Sequence, residues 1–343
     1  MKRLSIFIVG IMVAVLAMSR TFDMKQLGAD AKGIKSCTEL INRTIEKAAS
    51  EGGGTIYFPA GTYLTATIHM KSNITLYLES GAILRFSDKF EDYLPFVTLR
   101  WEGTVMKSLS PLIYAHSADN VTISGRGTLD GNGLKWWLWE FDTRKVIKEN
   151  GGKLPALDKL QQMWVDANKD LEISDYYKPS LERRMFRPPF IQFYECTNIL
   201  IENVKIINSP FWTINPAFCD NVTIHGVTIN NPSSDPKGPN TDGINPSSCR
   251  NVRISDCFIS VGDDCITIKS GRDADGRKYG KACENITITN CIMLSGHGGV
   301  VIGSEMSGGV KRVAISNCVF DGTNAGIRLK ASRGRGGVVE DIR

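Results

Sequence analysis

The sequence has 343 residues, of which 42% are hydrophobic and 22% charged, a composition typical of a globular protein with a substantial core. The formal net charge of +5 at pH 7 is mild and no strong run of cations occurs, which argues against a nucleic-acid-binding protein. A weakly basic protein of this kind would still suit an acidic substrate.

Residues 1–19 are predicted to be an export signal. Lys2 and Arg3 give a basic start, and the apolar segment Leu4 to Ala17 is too short to span a bilayer. Small residues ending at Ser19 suit cleavage by a signal peptidase, and a single membrane anchor is the alternative. Since no later stretch is apolar enough to cross a membrane, we expect an exported protein, periplasmic or extracellular, with no membrane span after the signal is removed.

Residues Ser36 to Ser50 are predicted to form a short helix that caps the N-terminal end of the fold. Ser36 and Glu39 have the spacing of a capping box. Apolar residues recur on one face of this helix: Cys37, Leu40, Ile41, Ile45 and Ala48. A glycine run then ends the helix, and a first long strand is predicted to begin at Thr55.

Beyond this strand the sequence repeats one pattern, in which an asparagine is followed by a short strand rich in β-branched residues. The asparagines are Asn73, Asn120, Asn198, Asn221, Asn251 and Asn285, with Arg312 in the equivalent place. The late repeats are 23, 30, 34 and 27 residues apart. Repeats of this size predict an all-β solenoid formed by residues 20–343 as a single domain. The asparagines would lie at one corner and hydrogen-bond to one another.

Seven of the nine cysteines follow the same repeat. Four stand two residues before a corner asparagine and three share a second place: Cys196, Cys219, Cys249 and Cys283, and then Cys257, Cys291 and Cys318. We interpret them as small buried side chains stacked in a core. One or two disulfides are the alternative, whereas a metal site is not indicated because no C-x-x-C pair or histidine partner is present.

The interval Leu134 to Pro189 interrupts the repeat and is predicted to be one long insertion in the solenoid, with a helix at Leu157 to Ala167. It carries a cluster of aromatic residues: Trp136, Trp137, Trp139, Trp164, Tyr176 and Tyr177. Two interpretations stay open. Either these rings pack the insertion onto the solenoid, or some of them form the wall of a sugar-binding groove.

Three carboxylates, those of Asp242, Asp263 and Asp264, lie within one repeat length. Asp242 precedes Asp263 by 21 residues with a predicted strand between them, so one coil of the solenoid would bring the carboxylates side by side. Neighbouring carboxylates repel one another when ionised, and one of them can keep a proton at neutral pH. General acid–base catalysis needs such a protonated carboxyl beside an ionised one. A solvated turn and a calcium site are the alternatives.

A histidine and two cations occupy the next repeats. His297 is flanked by glycines in G-H-G-G, so little side-chain packing is available to its ring. Arg328 and Lys330 alternate with Ile327 and Leu329, and on a strand both cations would point to one face and both apolar residues to the other. Two cations beside an acidic group would bind a carboxylate. A surface ion-pair network is the alternative.

Four motifs, in this order and spacing, resemble the signatures of glycoside hydrolase family 28, the polygalacturonases and related pectin hydrolases. They are N-T-D at Asn240, G-D-D at Gly262, G-H-G at Gly296 and R-L-K at Arg328. The resemblance extends from about residue 22 to the end of the chain, with R-L-K where R-I-K is more usual. It implies a right-handed parallel β-helix and hydrolysis with inversion, with no cofactor or metal.

The resemblance also implies a role for each site residue. The catalytic residues would be Asp263, as the general acid, Asp242 and Asp264, which activate water, and His297, which supports the acid. The residues implied to bind the substrate are Asn240, and Arg328 and Lys330, which would hold the galacturonate carboxylate. We therefore expect a monomer that acts on α-1,4-galacturonosyl linkages of a pectic polysaccharide.

Several functions stay open at this point. The long insertion and the run Gly303 to Gly309 resemble exo-acting members of the family, in which insertions close one end of the groove. A rhamnogalacturonan or xylogalacturonan hydrolase, a calcium-dependent pectate lyase and an inactive sugar-binding solenoid are the alternatives. Because relatives generally continue well beyond the R-L-K motif, we also expect that C-terminal coils are missing and that the last coil exposes apolar surface.

Overall fold

The computed structural model describes residues 20–152, 156–170 and 187–343. Within these ranges the chain forms many short strands, and almost all of them pair in parallel with the strand one coil earlier and one coil later. The strands build three long faces around a continuous apolar core. The predicted all-β solenoid is confirmed, and it is a parallel β-helix.

Two of the three faces are uninterrupted sheets in the described part of the chain, with strands numbered here in chain order. The first sheet consists of β1 (Thr21–Asp23), β3 (Gly54–Phe58), β6 (Ile74–Leu78), β11 (Asp119–Gly125), β14 (Thr197–Glu202), β16 (Asp220–His225), β18 (Arg250–Ser255), β21 (Cys283–Thr289), β24 (Val310–Ser316) and β27 (Val339–Ile342). The second consists of β2 (Lys32–Ser36), β4 (Gly61–Thr65), β7 (Ala82–Phe86), β12 (Thr128–Asp130), β15 (Lys205–Ile207), β17 (Thr228–Asn230), β19 (Phe258–Ser260), β22 (Ile292–Ser295) and β25 (Val319–Phe320).

The third face carries the predicted site. Its strands are β5 (Ile68–His69), β10 (Ile113–His116), β13 (Ile191–Tyr194), β20 (Ile266–Ile268), β23 (Val300–Ile302) and β26 (Ile327–Leu329). Isolated parallel bridges join its two halves, and they link in order Ile191, Ile214, Ile244 and Ile266. Because neighbouring strands lie about 4.8 Å apart, residues in register on successive coils can act on one another.

An antiparallel hairpin, β8 (Val97–Trp101) and β9 (Thr104–Ser108), crosses the outer side of the third face. The backbone N–H of Arg100 donates to Oε1 of Gln192 on β13 at 2.9 Å, and Nε2 of Gln192 donates back to the carbonyl oxygen of Arg100. At the tip, the carbonyl oxygen of Gly103 accepts from the N–H of Arg272 at 3.0 Å. The hairpin therefore lies against the third face from the coil of Gln192 to the coil that carries Arg272.

The N-terminal helix α1 spans Thr38–Ser50. The predicted capping box at Ser36 and Glu39 is wrong, because Ser36 is still the last residue of β2 and Cys37 holds the N-cap position without a side-chain cap bond. The predicted apolar face is confirmed, and its fully buried members are Ile41, Ile45 and Ala48.

The predicted asparagine corner is confirmed. All six asparagines and Arg312 have left-handed backbone conformations, with φ between 55° and 62°. Nδ2 of Asn120 donates to Oδ1 of Asn73 at 3.0 Å. Between two other neighbouring coils an aspartate is the acceptor, since Nδ2 of Asn251 donates to Oδ1 of Asp220 at 2.8 Å. Asparagine tolerates this backbone better than most residues and supplies the bond to the next coil.

All nine cysteines lie in the described part of the chain and are free thiols. Eight are buried, and Cys318 is partly exposed. The interpretation as a stacked core is confirmed for the seven repeat cysteines apart from this partial exposure of Cys318. Several thiols also contact backbone carbonyl groups, as Sγ of Cys249 does with Pro216 at 3.2 Å.

The insertion contains two helices in the described residues, α2 (Leu134–Glu149) and α3 (Lys159–Ala167). Three of its tryptophans are buried, namely Trp136, Trp137 and Trp164. Nε1 of Trp137 donates to the carbonyl oxygen of Ser209 on the solenoid at 2.9 Å. Packing onto the solenoid is therefore confirmed for Trp137, while both predicted tyrosines lie outside the described residues. Elsewhere in the described chain are a 3-10 helix at Phe90–Tyr93 and α4 at Asp273–Tyr279.

Two predictions concern the ends of the chain. The predicted export signal, residues 1–19, lies outside the described residues, and none of the described helices is long and apolar enough to cross a membrane. On the last coil, Ile327 and Leu329 are 52% and 61% exposed, as the prediction of exposed apolar surface requires.

Candidate active site

The predicted site residues come from successive coils of the third face and meet above its outer side. Asp242 lies two residues before Ile244, and Asp264 lies two residues before Ile266, which is the bridge partner of Ile244. The two aspartates therefore occupy the same place on neighbouring coils. His297 precedes β23 and Arg328 lies on β26, the next two strands of the same face.

Asp263 is the most accessible of the three carboxylates. Its side chain is 17% exposed, against 4% for Asp242 and 2% for Asp264. Oδ1 of Asp263 lies 3.1 Å from Nδ1 of His297 and accepts from the backbone N–H of Asp264 at 2.9 Å. The structure thus pairs the predicted acid with the predicted histidine.

Asp242 is buried below this pair. Its Oδ2 accepts from Nδ2 of Asn245 at 3.1 Å and from Oγ1 of Thr267 at 3.4 Å. Nζ of Lys269 lies 3.8 Å from the same oxygen. These three partners come from the third face itself, so the position of the Asp242 carboxylate is fixed by the sheet.

Burial and neighbouring charges separate the proton affinities of Asp242 and Asp263. Burial, followed by the charge of Asp263, raises the pKa of Asp242 well above its ordinary value. Burial also acts to raise the pKa of Asp263, but the hydrogen bond and charge of His297 and the charges of two lysines bring it below its ordinary value. In the unliganded site the shared proton therefore favours Asp242.

Asp264 is held by a cation on one oxygen. Nζ of Lys330 donates to its Oδ2 at 2.8 Å. Its buried Oδ1 accepts no hydrogen bond from the described residues. Gly298 lies beside this atom, and a Cβ at that position would stand 3.3 Å from Oδ1 and 2.4 Å from Cγ2 of Val301. A glycine at 298 therefore keeps space next to the open oxygen of Asp264.

The residues predicted to bind the substrate are placed differently from one another. Arg328 has an exposed side chain on β26, as a substrate-binding cation requires. Lys330 is committed to Asp264, as described above. Oδ1 of Asn240 accepts from the guanidinium of the buried Arg187 at 2.8 Å, so the side-chain oxygen of Asn240 already has a partner.

Sequence reasoning missed several residues that touch the site. Lys269 and Asn245 stand inside the motif region, and strand alternation would have put them on the outer side of the third face. No motif or strand pattern in the sequence indicated Lys237, although its Nζ donates to Nε2 of His297 at 2.7 Å. Glu305, which bonds Lys269, lies in a glycine-rich run whose conformation sequence alone does not define.

Asp263, Asp264 and His297 offer oxygen and nitrogen atoms that all lie within 4.8 Å of one another, which is close enough for one metal ion. Two of these three residues already contact cationic groups, however. Lys330 bonds Asp264 at 2.8 Å and Lys237 bonds His297 at 2.7 Å. A divalent cation would meet these ammonium groups at close range, so the donor set fits a metal poorly. A site without a metal stays our prediction.

Comparison with known proteins identifies the family. Residues 178–343 match the model of the glycosyl hydrolases family 28, and residues 21–97 match a model for rhamnogalacturonase A/epimerase, pectate lyase-like proteins. A solved exopolygalacturonase from Thermotoga maritima is 39% identical, with a TM-score of 0.81 over 94% of this chain and 71% of that chain. The chain belongs to glycoside hydrolase family 28. The resemblance inferred from the four motifs is thereby confirmed.

Two curated relatives of this family member extend the comparison. A probable polygalacturonase from Vitis vinifera is 34% identical over 304 residues, which are 87% of this chain and 54% of the relative. An endo-polygalacturonase from Pectobacterium carotovorum subsp. carotovorum is 29% identical over 342 residues, which are 95% of this chain and 73% of the relative. The family 28 chain thus spans about half the length of the Vitis protein.

Proposed function

We propose that this chain hydrolyses α-1,4-galacturonosyl linkages of pectic galacturonan by general acid–base catalysis with inversion. The observation that carries the proposal is one accessible carboxylate, two buried carboxylates and the cations Arg328 and Lys330 within one site of a family 28 chain. Paired carboxylates supply the proton donor and acceptor that glycosidic cleavage needs. The exposed Arg328 suits a sugar that carries a carboxylate of its own.

Asp263 is the proton donor in this proposal, because its accessible carboxyl can reach the glycosidic oxygen. In the unliganded site the proton favours Asp242, so substrate binding has to move it. A bound galacturonate excludes water and brings a negative charge near Asp263, and both effects raise the pKa of that carboxyl. The three aspartates then titrate as one coupled group, with the proton on Asp263 when the C–O bond breaks.

Asp242 and Asp264 activate the attacking water. The open Oδ1 of Asp264 and the space beside Gly298 suit a water molecule that hydrogen-bonds to this buried oxygen. This water gives its proton to the carboxylate as its oxygen bonds to the anomeric carbon, on the side opposite the leaving group. The departing sugar takes the proton of Asp263, and the new reducing end has the inverted configuration.

His297 supports the acid through its own hydrogen bonds. Nζ of Lys237 lies 2.7 Å from Nε2, and Nδ1 lies 3.1 Å from Oδ1 of Asp263, so a proton carried by Nδ1 points at that oxygen. A donor in this position stabilises the Asp263 carboxylate once its proton has left. We infer that His297 acts on the acid and not directly on the sugar.

The hairpin of β8 and β9 supports exo action. It lies over Gln192 on the third face, and its tip bonds the coil that carries Arg272, so the face is covered on one side of the carboxylates. A groove closed on one side admits a chain end in place of a continuous polymer. The similarity to an exopolygalacturonase of known structure points the same way.

The test uses three polysaccharides: polygalacturonate, rhamnogalacturonan and xylogalacturonan. We expect reducing ends to form fastest on polygalacturonate, with galacturonate monomer or dimer as the first product. A preference for either other polymer would replace the proposed substrate, and early release of mixed oligomers would contradict exo action. Absence of turnover on all three would favour a sugar-binding solenoid.

We further propose that the protein is exported, periplasmic or extracellular, and acts as a monomer on its polysaccharide. The predicted signal at residues 1–19 and the pectic substrate proposed above support this location. Sequencing of the mature N-terminus and light scattering of the purified protein test the two claims. A mature protein that keeps residues 1–19, or a stable dimer, would contradict them.

A further inference from the structure

A buried ion pair lies beneath the carboxylates and is not part of the mechanism above. We propose that Lys269, held in place by Glu305, is a positioning residue that sets how strongly Asp242 retains its proton. This inference rests on the proposed function of Asp242 as a base. It also gives the run Gly303 to Gly309, which resembles exo-acting members, a role in the site through Glu305.

The geometry places Lys269 between two carboxylates. Its Nζ lies 2.8 Å from Oε2 of Glu305 and 3.8 Å from Oδ2 of Asp242, and 4.5 Å from the centre of the Trp212 ring. The side chains of Lys269, Asp242 and Glu305 are only 5%, 4% and 11% exposed. Because water is nearly excluded, each charge in this group acts on the others with little screening.

The backbone holds both members of the pair firmly. The N–H of Lys269 donates to the carbonyl oxygen of Pro246 on the previous coil at 2.9 Å. The N–H of Ser270 donates to the carbonyl oxygen of Glu305 at 2.7 Å, and that of Gly308 donates to Ser270 at 3.0 Å. The run that carries Glu305 is thereby fixed to the residue that follows Lys269.

The charges that face Asp242 oppose one another. Asp263 and Asp264 on the next coil and Glu305 on the run favour its protonated form, whereas Lys269 favours its ionised form. Glu305 lies closer to Lys269 than Asp242 does, and so draws the ammonium away from Asp242. Lys269 therefore offsets only part of the effect that the neighbouring carboxylates have on Asp242. The carboxylate form of Asp242 is stabilised, but it can still accept the proton of the attacking water.

The two members of the pair should have opposite effects on the acidic limb of the kcat/KM profile against pH. Lys269→Met removes the attraction, so we expect the limb to move up by about 1 pH unit. Glu305→Gln removes a repulsion and leaves Lys269 to Asp242 alone, so we expect the limb to move down. A merely structural role would lower activity in both variants without moving the limb in opposite directions.

Two additions keep the test decisive. The double variant Lys269→Met/Glu305→Gln leaves no unpaired buried charge, so it folds more readily than the single lysine variant, and its limb should also move up because Asp242 loses its cation. The matched control is Lys311→Met, which removes the more exposed pair with Glu284 and should leave the limb unmoved. If the acidic limb of the kcat/KM profile lay at the same pH in wild type and in all variants, the proposal would be overturned.

A readout without turnover separates this proposal from the proposed function. Infrared difference spectra between wild type and Asp242→Asn identify the carboxyl band of Asp242, and its titration can be followed in each background. We expect the band to titrate at higher pH in Lys269→Met and at lower pH in Glu305→Gln. This result would stand even if polygalacturonate were not the substrate, while an unchanged midpoint would overturn the role of Lys269.

Discussion

The Nζ atom of Lys330 lies 2.8 Å from Oδ2 of Asp264, so this lysine directly contacts one of the carboxylates proposed to be catalytic. Asp264 is buried, so water screens this ion pair only weakly. Arg328 is exposed two residues earlier. The two cations of the R-L-K motif should therefore affect different kinetic constants, although the sequence assigned them one shared role.

We expect Lys330→Met to lower kcat on polygalacturonate by roughly 10- to 100-fold, because a charge-assisted hydrogen bond of about 1.5–3 kcal/mol is lost at a buried carboxylate. Arg328→Met should instead raise KM about tenfold with a smaller change in kcat, since it removes a contact to the substrate carboxylate. Steady-state kinetics of both variants, with Lys205→Met as the surface control, distinguishes the effect on kcat from the effect on KM. If both variants changed KM alone, Lys330 would act only in binding.

Glu305 should make the free energy of unfolding depend on pH in the acidic range. Burial opposes ionisation, but Lys269 lowers the pKa of Glu305 from an ordinary 4.5 to about 2. A lowered pKa in the folded state stabilises the protein above the unfolded value and loses this effect as pH falls toward 2. The shift corresponds to about 3 kcal/mol. We expect the difference in free energy of unfolding between wild type and Glu305→Gln to shrink by about this amount from pH 5 to pH 2.

Urea unfolding at several pH values measures that difference. Glu284→Gln, a substitution at a more exposed ion pair, is the control and should show a weaker dependence. A difference between wild type and Glu305→Gln that stayed constant over this pH range would contradict the buried ion pair.

A substitution of Asn251 tests how much the asparagine corner contributes to stability. Its φ is 56°, its Nδ2 donates to Asp220 and its Oδ1 accepts from Asn285 at 2.9 Å. Asn251→Ala should reduce the free energy of unfolding by about 1–3 kcal/mol, because alanine is strained in this conformation and makes neither bond. Asn251→Gly should cost less, since glycine adopts a positive φ readily. Equal losses in chemical denaturation would mean that backbone conformation is not the cause.

The cysteines should behave as core residues even in an oxidising compartment. We expect nine reactive thiols after unfolding in denaturant and at most about one before it, because eight of the nine side chains are buried. A reducing agent should leave the melting temperature unchanged. Fewer than nine thiols in the unfolded protein, or a lower melting temperature on reduction, would reveal a disulfide.

Much of the fold could be predicted because the repeat imposes the same physical demand on every coil. A corner that needs a left-handed residue selects asparagine, and a small space in the core selects cysteine at a fixed distance from it. The same register explains why the four motifs meet. Asp242 and Asp264 occupy equivalent places on adjacent coils, and motifs spaced by whole coils are brought together by the stacking alone.

The remaining features depend on contacts that have no period in the sequence. The start of α1 was misplaced because Ser36 is taken up by β2, which local capping patterns do not reveal. The bond from Lys237 to His297 depends on the path of a loop between strands. The proton preference of Asp242 over Asp263 depends on burial, and the spacing of two aspartates says nothing about which one is covered.

The central claim is that Asp263 donates the proton in a hydrolysis of galacturonan. The most direct test is reducing-end release from polygalacturonate by wild type and Asp263→Asn, with ultraviolet absorbance recorded and a chelator present. We expect wild type to release reducing ends at an undiminished rate without an unsaturated product, and Asp263→Asn to be slower by roughly 10²–10⁴-fold. A chelator-sensitive activity with an ultraviolet-absorbing product, or an Asp263→Asn rate equal to that of Asp220→Asn, would contradict it.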